Sequence, residues 1–297
     1  MRVLQLSLTE LAGMPSRLFR ALHATGTPCR LVTYREGMFT SDIVAPDRAT
    51  LEAQIDAADV VHVHGMVTYD AVAPLLAGRA HVVHIHGDPD RQRGVAPPAP
   101  HVVSTPDLLD VFPAARFVPN LILPDELPLS APLRPGEPLR IFKSPSLHDK
   151  HGALFAALLA PIQRRLGDRV RYVAPRALMP HAELTALRQS CHVSLDHLHG
   201  YYGLESLESL AQGLIAVNGA DARCLDAVQA AVGERPPFAV ARDPAEVGHL
   251  LLDLCQQALC DGARFAAQRA RNVAFIAERY TPAALLAPWL AIYRELV

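Results

Sequence analysis

Two segments of this chain are near copies of each other, Val60-Val61-His62-Val63-His64-Gly65 and Val82-Val83-His84-Ile85-His86-Gly87. Each is a strand-length run of β-branched residues with a polar carboxyl end, the pattern of a strand in a parallel sheet. Parallel strands need crossover connections, so the rest of the chain must supply helices between them. It does so throughout. Residues 2–8, 30–34, 102–105, 140–142, 170–173, 191–195, 214–217 and 238–240 read as further strands. Helical patterns fall at 18–26, 51–57, 154–166, 180–189, 204–212 and 245–260, and the strand at 102–105 runs into a helix start at Pro106-Asp107. Between the two blocks of alternation lies a proline-rich stretch from Leu123 to Pro138, too polar for a core element. The pattern predicts an α/β protein with two doubly wound parallel-sheet domains.

The chain has 297 residues, half of them hydrophobic, and a net charge of -2, enough to bury two cores and too little positive charge for a nucleic-acid footprint. It has no apolar run of transmembrane length, and its start lacks a signal-peptide layout, so a cytoplasmic protein is expected, with peripheral membrane contact left open. The five cysteines are scattered without a C-x-x-C pair, which implies neither a disulfide framework nor a zinc ribbon. His62, His64, His84 and His86 invite a metal reading because His-x-His on a strand puts both rings on one face. No acidic or cysteine partner stands at ligand spacing, so no metal site is expected.

The chemistry concentrates in Asp196-His197-Leu198-His199-Gly200-Tyr201-Tyr202-Gly203-Leu204-Glu205-Ser206-Leu207-Glu208-Ser209-Leu210-Ala211-Gln212-Gly213. This reads as a loop, a helix and a turn leading into a strand. Gly200 and Gly203 allow close backbone approach, and the helix opening near Leu204 would aim its first N–H groups at an anion such as a diphosphate. Leu204, Leu207 and Ala211 would face the core, while Glu205 and Glu208 share a neighbouring face. A carboxylate one turn into the helix suits a vicinal diol, with Glu208 the better placed; periodicity alone favours an ordinary surface helix. A second cluster holds the only two lysines, Lys143 and Lys150, among 28 basic residues, which points to a need for compact ammonium groups there.

The segment from Gly200 to Gly213 resembles the nucleotide-sugar motif of the family 4 glycosyltransferases, which have the GT-B fold. That motif has two glutamates separated by seven residues: Glu208 falls on the second, and Gly200 stands in place of the first. A branch with an Asp, a Gly-aromatic-Tyr-Gly loop and one downstream Glu is similar to Asp196 through Gly213. Residues 143–152 resemble the loop that grips the donor diphosphate, with His148 where an arginine is usual and His151 before Gly152. His86-Gly87-Asp88 resembles the family's His-Gly-x-Asp segment.

The resemblance implies two Rossmann-like domains facing a cleft. An acceptor-side domain would span 1–124, a linker 125–138, a donor domain 139–279 and a tail helix crossing back 280–297. It implies a retaining transfer from a nucleotide-diphosphate sugar, as co-substrate, to an unidentified acceptor hydroxyl, with no cofactor and no required metal. Lys150 and the helix N-terminus would stabilise the departing diphosphate, and Glu208 would hold the ribose. His86 and Asp88 would share the catalysis with Lys150. Lys143, Lys150, Asp196, His199, Gly200, Tyr202, Gly203, Leu204, Glu205 and Glu208 would line the donor site, and Gly13 and His64 the acceptor side. Asp196, His199 or Glu205 would compensate for the first glutamate. A nucleotide-sugar epimerase and a non-catalytic sugar-nucleotide-binding protein remain as alternatives.

Overall fold

The structure is a computed structural model. It describes residues 1–297 except 10–12, 38, 40, 88–91, 93, 95, 98–99, 144–151, 176–178 and 199, and the backbone alone of 152–156, 158 and 244. The chain divides into two compact units, Met1–Leu121 with Tyr280–Val297, and Ile122–Arg279.

Unit 1 opens with β1 (Val3–Ser7), α1 (Met14–Ala24), β2 (Cys29–Thr33), β3 (Ile43–Val44), α2 (Arg48–Ala57), β4 (Val60–His64) and α3 (Met66–Val72). β5 (His81–Ile85), β6 (His101–Val103) and β7 (Arg116–Phe117) follow. All seven strands are parallel, in the order β3-β2-β1-β4-β5-β6-β7. The period of two gives the sheet two different faces. Leu4, Leu6, Val61 and Val63 pack with Leu51 and Ile55 of α2 and with Val72 and Leu76. The opposite face carries Gln5, His62, His64 and His84, all buried. α2 begins where the Asp47 side chain accepts the Thr50 N–H at 2.7 Å.

Unit 2 comprises β8 (Leu139–Lys143), α4 (Gly152–Leu166), β9 (Val170–Val173), α5 (His181–Gln189), β10 (Val193–Leu195), α6 (Leu204–Ala211) and β11 (Ile215–Asn218). α7 (Ala222–Val232), β12 (Ala239–Val240), α8 (Pro244–Cys260) and α9 (Gly262–Arg279) complete it. Its five strands are again parallel, in the order β12-β11-β10-β8-β9. Leu139, Ile141, Val193, Leu195, Ile215 and Val217 meet Leu159, Ile162, Val247 and Leu251 of the flanking helices. The last helix, α10 (Pro282–Leu296), starts with proline at its first position, where no N–H is missed, and belongs to unit 1. Its fully buried Trp289 and Tyr293 lie against the histidine face.

Three expectations are corrected. The proline-rich stretch 125–138 does contribute to packing: Leu127 and Ser130 are buried, and the Ser130 N–H donates to the Gln212 carbonyl at 2.8 Å. The strand at 101–103 leads into a 3-10 turn at Pro106–Asp110 rather than an α-helix. α6 is not a surface helix, since Ser206 through Ala211 are all buried, whereas Leu204 is half-exposed. Small serines on its polar positions let neighbouring elements close over it, which apolar spacing alone does not reveal.

Candidate functional site

The chain leaves β8 towards β9 on one side and leaves β10 towards β11 on the other, so the carboxyl ends of β8 and β10 flank the switch point of the second sheet. Lys143 ends β8, nearly buried, in register with Leu195 at the end of β10. Asp196 follows directly. Its Oδ2 accepts the Gly203 N–H at 2.8 Å, the Ser206 N–H at 3.1 Å and the Ser206 hydroxyl at 2.7 Å. Ser206 Oγ in turn accepts from Asn218 Nδ2 at 2.9 Å. Burial opposes ionisation of Asp196, but His197, the Ser206 hydroxyl, Lys143 and the Gly203 amide together hold its carboxyl below the usual range.

This arrangement explains a glycine and corrects an expectation. A Cβ on Gly203 would sit 3.0 Å from both Asp196 oxygens, tighter than an ordinary contact, so glycine at 203 lets the carboxylate approach the helix without being displaced. The start of α6 is therefore not wholly open to an external anion. Asp196 caps part of it, leaving the Leu204 and Glu205 amides for other partners.

Glu208 lies one turn into α6, buried, with two identified partners. Arg188 Nη2 of α5 donates to Oε2 at 2.7 Å, and His181 Nε2 lies 3.1 Å from Oε1. Arg188 is itself fully buried and spends its Nε–H on Gln212 Oε1 at 2.5 Å. Gln212 passes the order on, donating to the Pro128 carbonyl at 3.0 Å and the Thr185 carbonyl at 3.1 Å. Glu208 is thus a fixed, charge-balanced carboxylate. Glu205 differs. Burial pushes its carboxyl up to about 7, against the pull of Arg188, whose Nη1 stands 3.9 Å away, and of Lys143. Its Oε1 is buried with no hydrogen-bond partner among the described residues.

Gly200, at φ 83°, pairs with Ala220, and its carbonyl accepts the Asp221 N–H at 3.0 Å. Tyr202 is buried with its ring against Phe238, ring centroids 5.0 Å apart. Lys143, Asp196, Gly200, Gly203, Glu205 and Glu208 thus gather around the carboxyl ends of β8 and β10 and the start of α6. His199, Lys150 and Asp88 lie outside the described residues.

In unit 1, Gly13 is buried at the start of α1, where a Cβ would meet the Phe39 ring at 2.7 Å, so the space beside it is filled by packing. His64 is buried, and His86, half-buried, offers Nε2 to it at 3.1 Å from His64 Nδ1. The Gln5 amide satisfies all its neighbours when its nitrogen donates to His64 Nε2 at 2.9 Å and to the Pro15 carbonyl at 3.1 Å. His64 then carries its proton on Nδ1 and donates to His86. Burial holds the His86 ring down to about 4. The strand register brings His84 of β5 beside His62 and His64, with one ring nitrogen from each within 4.8 Å of the others, and no acidic or cysteine side chain joins this group among the described residues.

Arg188, His181, Gln212 and Ser206 were not recognisable as site residues from the sequence. A fully buried arginine inside an otherwise ordinary helix is the one signal, and it becomes visible only with burial.

At the level of sequence, neither a family model nor a curated protein matches the chain. Among solved structures it is similar to HepE of Anabaena in complex with UDP and glucose, at 11% identity, covering 100% of both chains with a TM-score of 0.67. It is similar to the catalytic domain of starch synthase IV of Arabidopsis thaliana bound to ADP and acarbose, at 10% identity, 99% of both chains and a TM-score of 0.67. It also resembles AviGT4, a glycosyltransferase involved in avilamycin A biosynthesis, at 17% identity, 100% of this chain, 98% of that one and a TM-score of 0.61. These neighbours are glycosyltransferases of the GT-B fold, and at such identities the likeness establishes the fold. Among the described residues, no helix is long and apolar enough to cross a membrane.

Proposed function

We propose that this chain is a glycosyltransferase that takes a sugar from a nucleotide-diphosphate donor and passes it, with retained anomeric configuration, to an acceptor hydroxyl. The observation that carries this reading is Glu208, a buried carboxylate fixed by Arg188 beside the switch point of the second sheet. A carboxylate fixed in this way accepts two hydrogen bonds from a ribose diol without reorganising. Lys143 adds a cationic group at the end of the neighbouring strand, and Lys150 is assigned the diphosphate by its resemblance to the donor-gripping loop. Glu205, rather than the capping Asp196, takes the part of the motif's first glutamate towards the donor sugar. The resemblance gives His86 and Asp88 of unit 1 a part in transfer. Neutral His86 accepts the His64 N–H on Nε2 and so carries its own proton on Nδ1, which makes it a hydrogen-bond donor rather than a cation.

The decisive experiment is a thermal-shift screen against UDP-, GDP-, ADP- and TDP-sugars, followed by nucleotide-release assays with candidate acceptors. A ligand at a hundred times its Kd stabilises by about 2.7 kcal/mol, ample to detect. Release of nucleotide only in the presence of acceptor supports the reading. Isomerised donor, or binding without turnover across the acceptor panel, overturns it.

A further inference from the structure

Among the described residues, the histidine face of unit 1 holds more imidazole nitrogens than hydrogen-bond partners for them. His62 and His64 share a face as residues i and i+2 of β4, and His64 is in register with His84 of β5. All three rings are buried. His62 Nδ1 lies 2.7 Å from the Tyr293 hydroxyl, but His62 Nε2 and both nitrogens of His84 have no hydrogen-bond partner among the described residues. A buried polar atom left unpaired is destabilising, and valine or leucine would fill the same sheet position without that cost. Trp289 closes the cluster from α10, its ring centroid 4.7 Å from His62 and 4.8 Å from His84.

We propose that His62, His64 and His84 form a binding site for a divalent transition cation of the zinc type, built into unit 1 and separate from the donor site. Three imidazoles with an open fourth position are an established zinc donor set, and ligand bonds of about 2.0–2.1 Å in tetrahedral geometry place the nitrogens about 3.4 Å apart. The ring nitrogens already lie within 4.8 Å of one another, so side-chain rotations of modest size complete the site. Burial keeps the rings neutral, which is the ligating form. The Tyr293 hydroxyl, bonded to His62 Nδ1, orients that ring so that Nε2 is the free donor. His64 ligates by exchanging its bond to His86 or Gln5 for the cation. The three neutral rings bring no charge, so hydroxide or another small anion takes the fourth position and reduces the net charge held in the interior. His86, half-buried at the end of the same sheet face and 3.1 Å from His64, marks the side from which a cation enters.

The test uses tag-free, full-length protein dialysed against chelator and titrated with Zn2+ and, as a spectroscopic probe, Co2+. The expected result is one tight equivalent per chain, a rise in melting temperature, and visible absorption of four-coordinate Co2+. His84→Phe should weaken binding at least 100-fold. It should also leave the metal-free protein folded with an equal or higher melting temperature, since the replaced nitrogens have no bonds to lose. His84→Leu serves as a second, smaller replacement should the phenyl ring not fit. His23→Ala, at an exposed position, should change nothing. Absence of a one-to-one site in the wild type, retention of it in both His84 variants, or its loss in His23→Ala would overturn the proposal.

Discussion

The Arg188–Glu208 pair gives a prediction whose size follows from burial. The two side chains are 1% and 6% exposed, so solvent screens their attraction little, and removing one partner leaves the other as an uncompensated interior charge. Such one-sided losses cost about 3–5 kcal/mol. Arg188→Met also strips Gln212 Oε1 of its 2.5 Å bond and Glu205 of its nearest cation. For a domain of this size each kcal/mol moves the melting temperature by about 2–4 °C, so the transition of unit 2 should fall by about 6–20 °C. Arg188→Met combined with Glu208→Met should recover most of the loss, because apolar replacement of a whole buried pair is close to neutral. Thermal melts and urea titrations at pH 7.5 measure both variants. A single substitution that costs less than about 1 kcal/mol, or a double that is no better than the single, would refute the claim that Glu208 is held as a charged group by Arg188.

The remaining predictions are narrower. Glu208→Gln should weaken nucleoside-diphosphate binding by about 1–3 kcal/mol in calorimetric titration, since a charged acceptor becomes a neutral amide with a misplaced donor. Lys150→Ala should lower affinity more for the diphosphate than for the nucleoside, and Lys143→Ala should do so less strongly; equal losses for both ligands would remove the phosphate role. Glu205 is raised from its ordinary value to about 7 by burial, so its stabilising contribution is complete below pH 4.5 and is lost as pH rises through 7. Glu205→Gln should therefore flatten the decline in stability across that window by about 3 kcal/mol in urea titrations at successive pH values. Gly219→Ala would place a Cβ 2.5 Å from the Leu198 backbone and should cost about 2–3 kcal/mol by the same titration, with no compensating side-chain motion available.

The α/β architecture was legible because its signals are local and redundant. The twin His-Gly runs became β4 and β5, Gly213 follows the end of α6 at φ 79°, and the apolar run after it became β11. Glu208 could be singled out because its spacing from Gly203 and Gly213 is a one-dimensional pattern. Its partners could not. Arg188 and His181 arrive from a different helix, 20 and 27 residues earlier, and whether an arginine is buried depends on tertiary packing rather than on periodicity. The grouping in space of the unit 1 histidines was hidden for the same reason. His62-x-His64 is visible on one strand, but its companion His84 is set by the register between β4 and β5.

The place of the motif's first glutamate shows how backbone and chemistry constrain each other here. Gly200 sits at φ 83° with its carbonyl bound to the Asp221 amide, and a Cβ there would lie 3.4 Å from the Asp221 carboxylate. A glutamate at 200 would combine left-handed backbone strain with like-charge repulsion, so the loop favours glycine. Under the proposed function, the part of that carboxyl falls to another side chain of the same loop and helix. Asp196 gives its Oδ2 to the Gly203 and Ser206 donors, which hold the start of α6 in place, and has His197 3.6 Å from its Oδ1. Glu205 retains a buried oxygen without a hydrogen-bond partner among the described residues, and near pH 7 it exchanges between the acid and the carboxylate. A carboxyl in that state can either donate to or accept from a sugar hydroxyl, whereas Glu208, fixed as an anion by Arg188, can only accept. The pH dependence of binding should therefore separate the two roles. Affinity for the sugar nucleotide relative to the bare nucleotide should change around pH 7 in the wild type and lose that change in Glu205→Gln. A ratio that is flat with pH in both proteins would remove Glu205 from the sugar subsite.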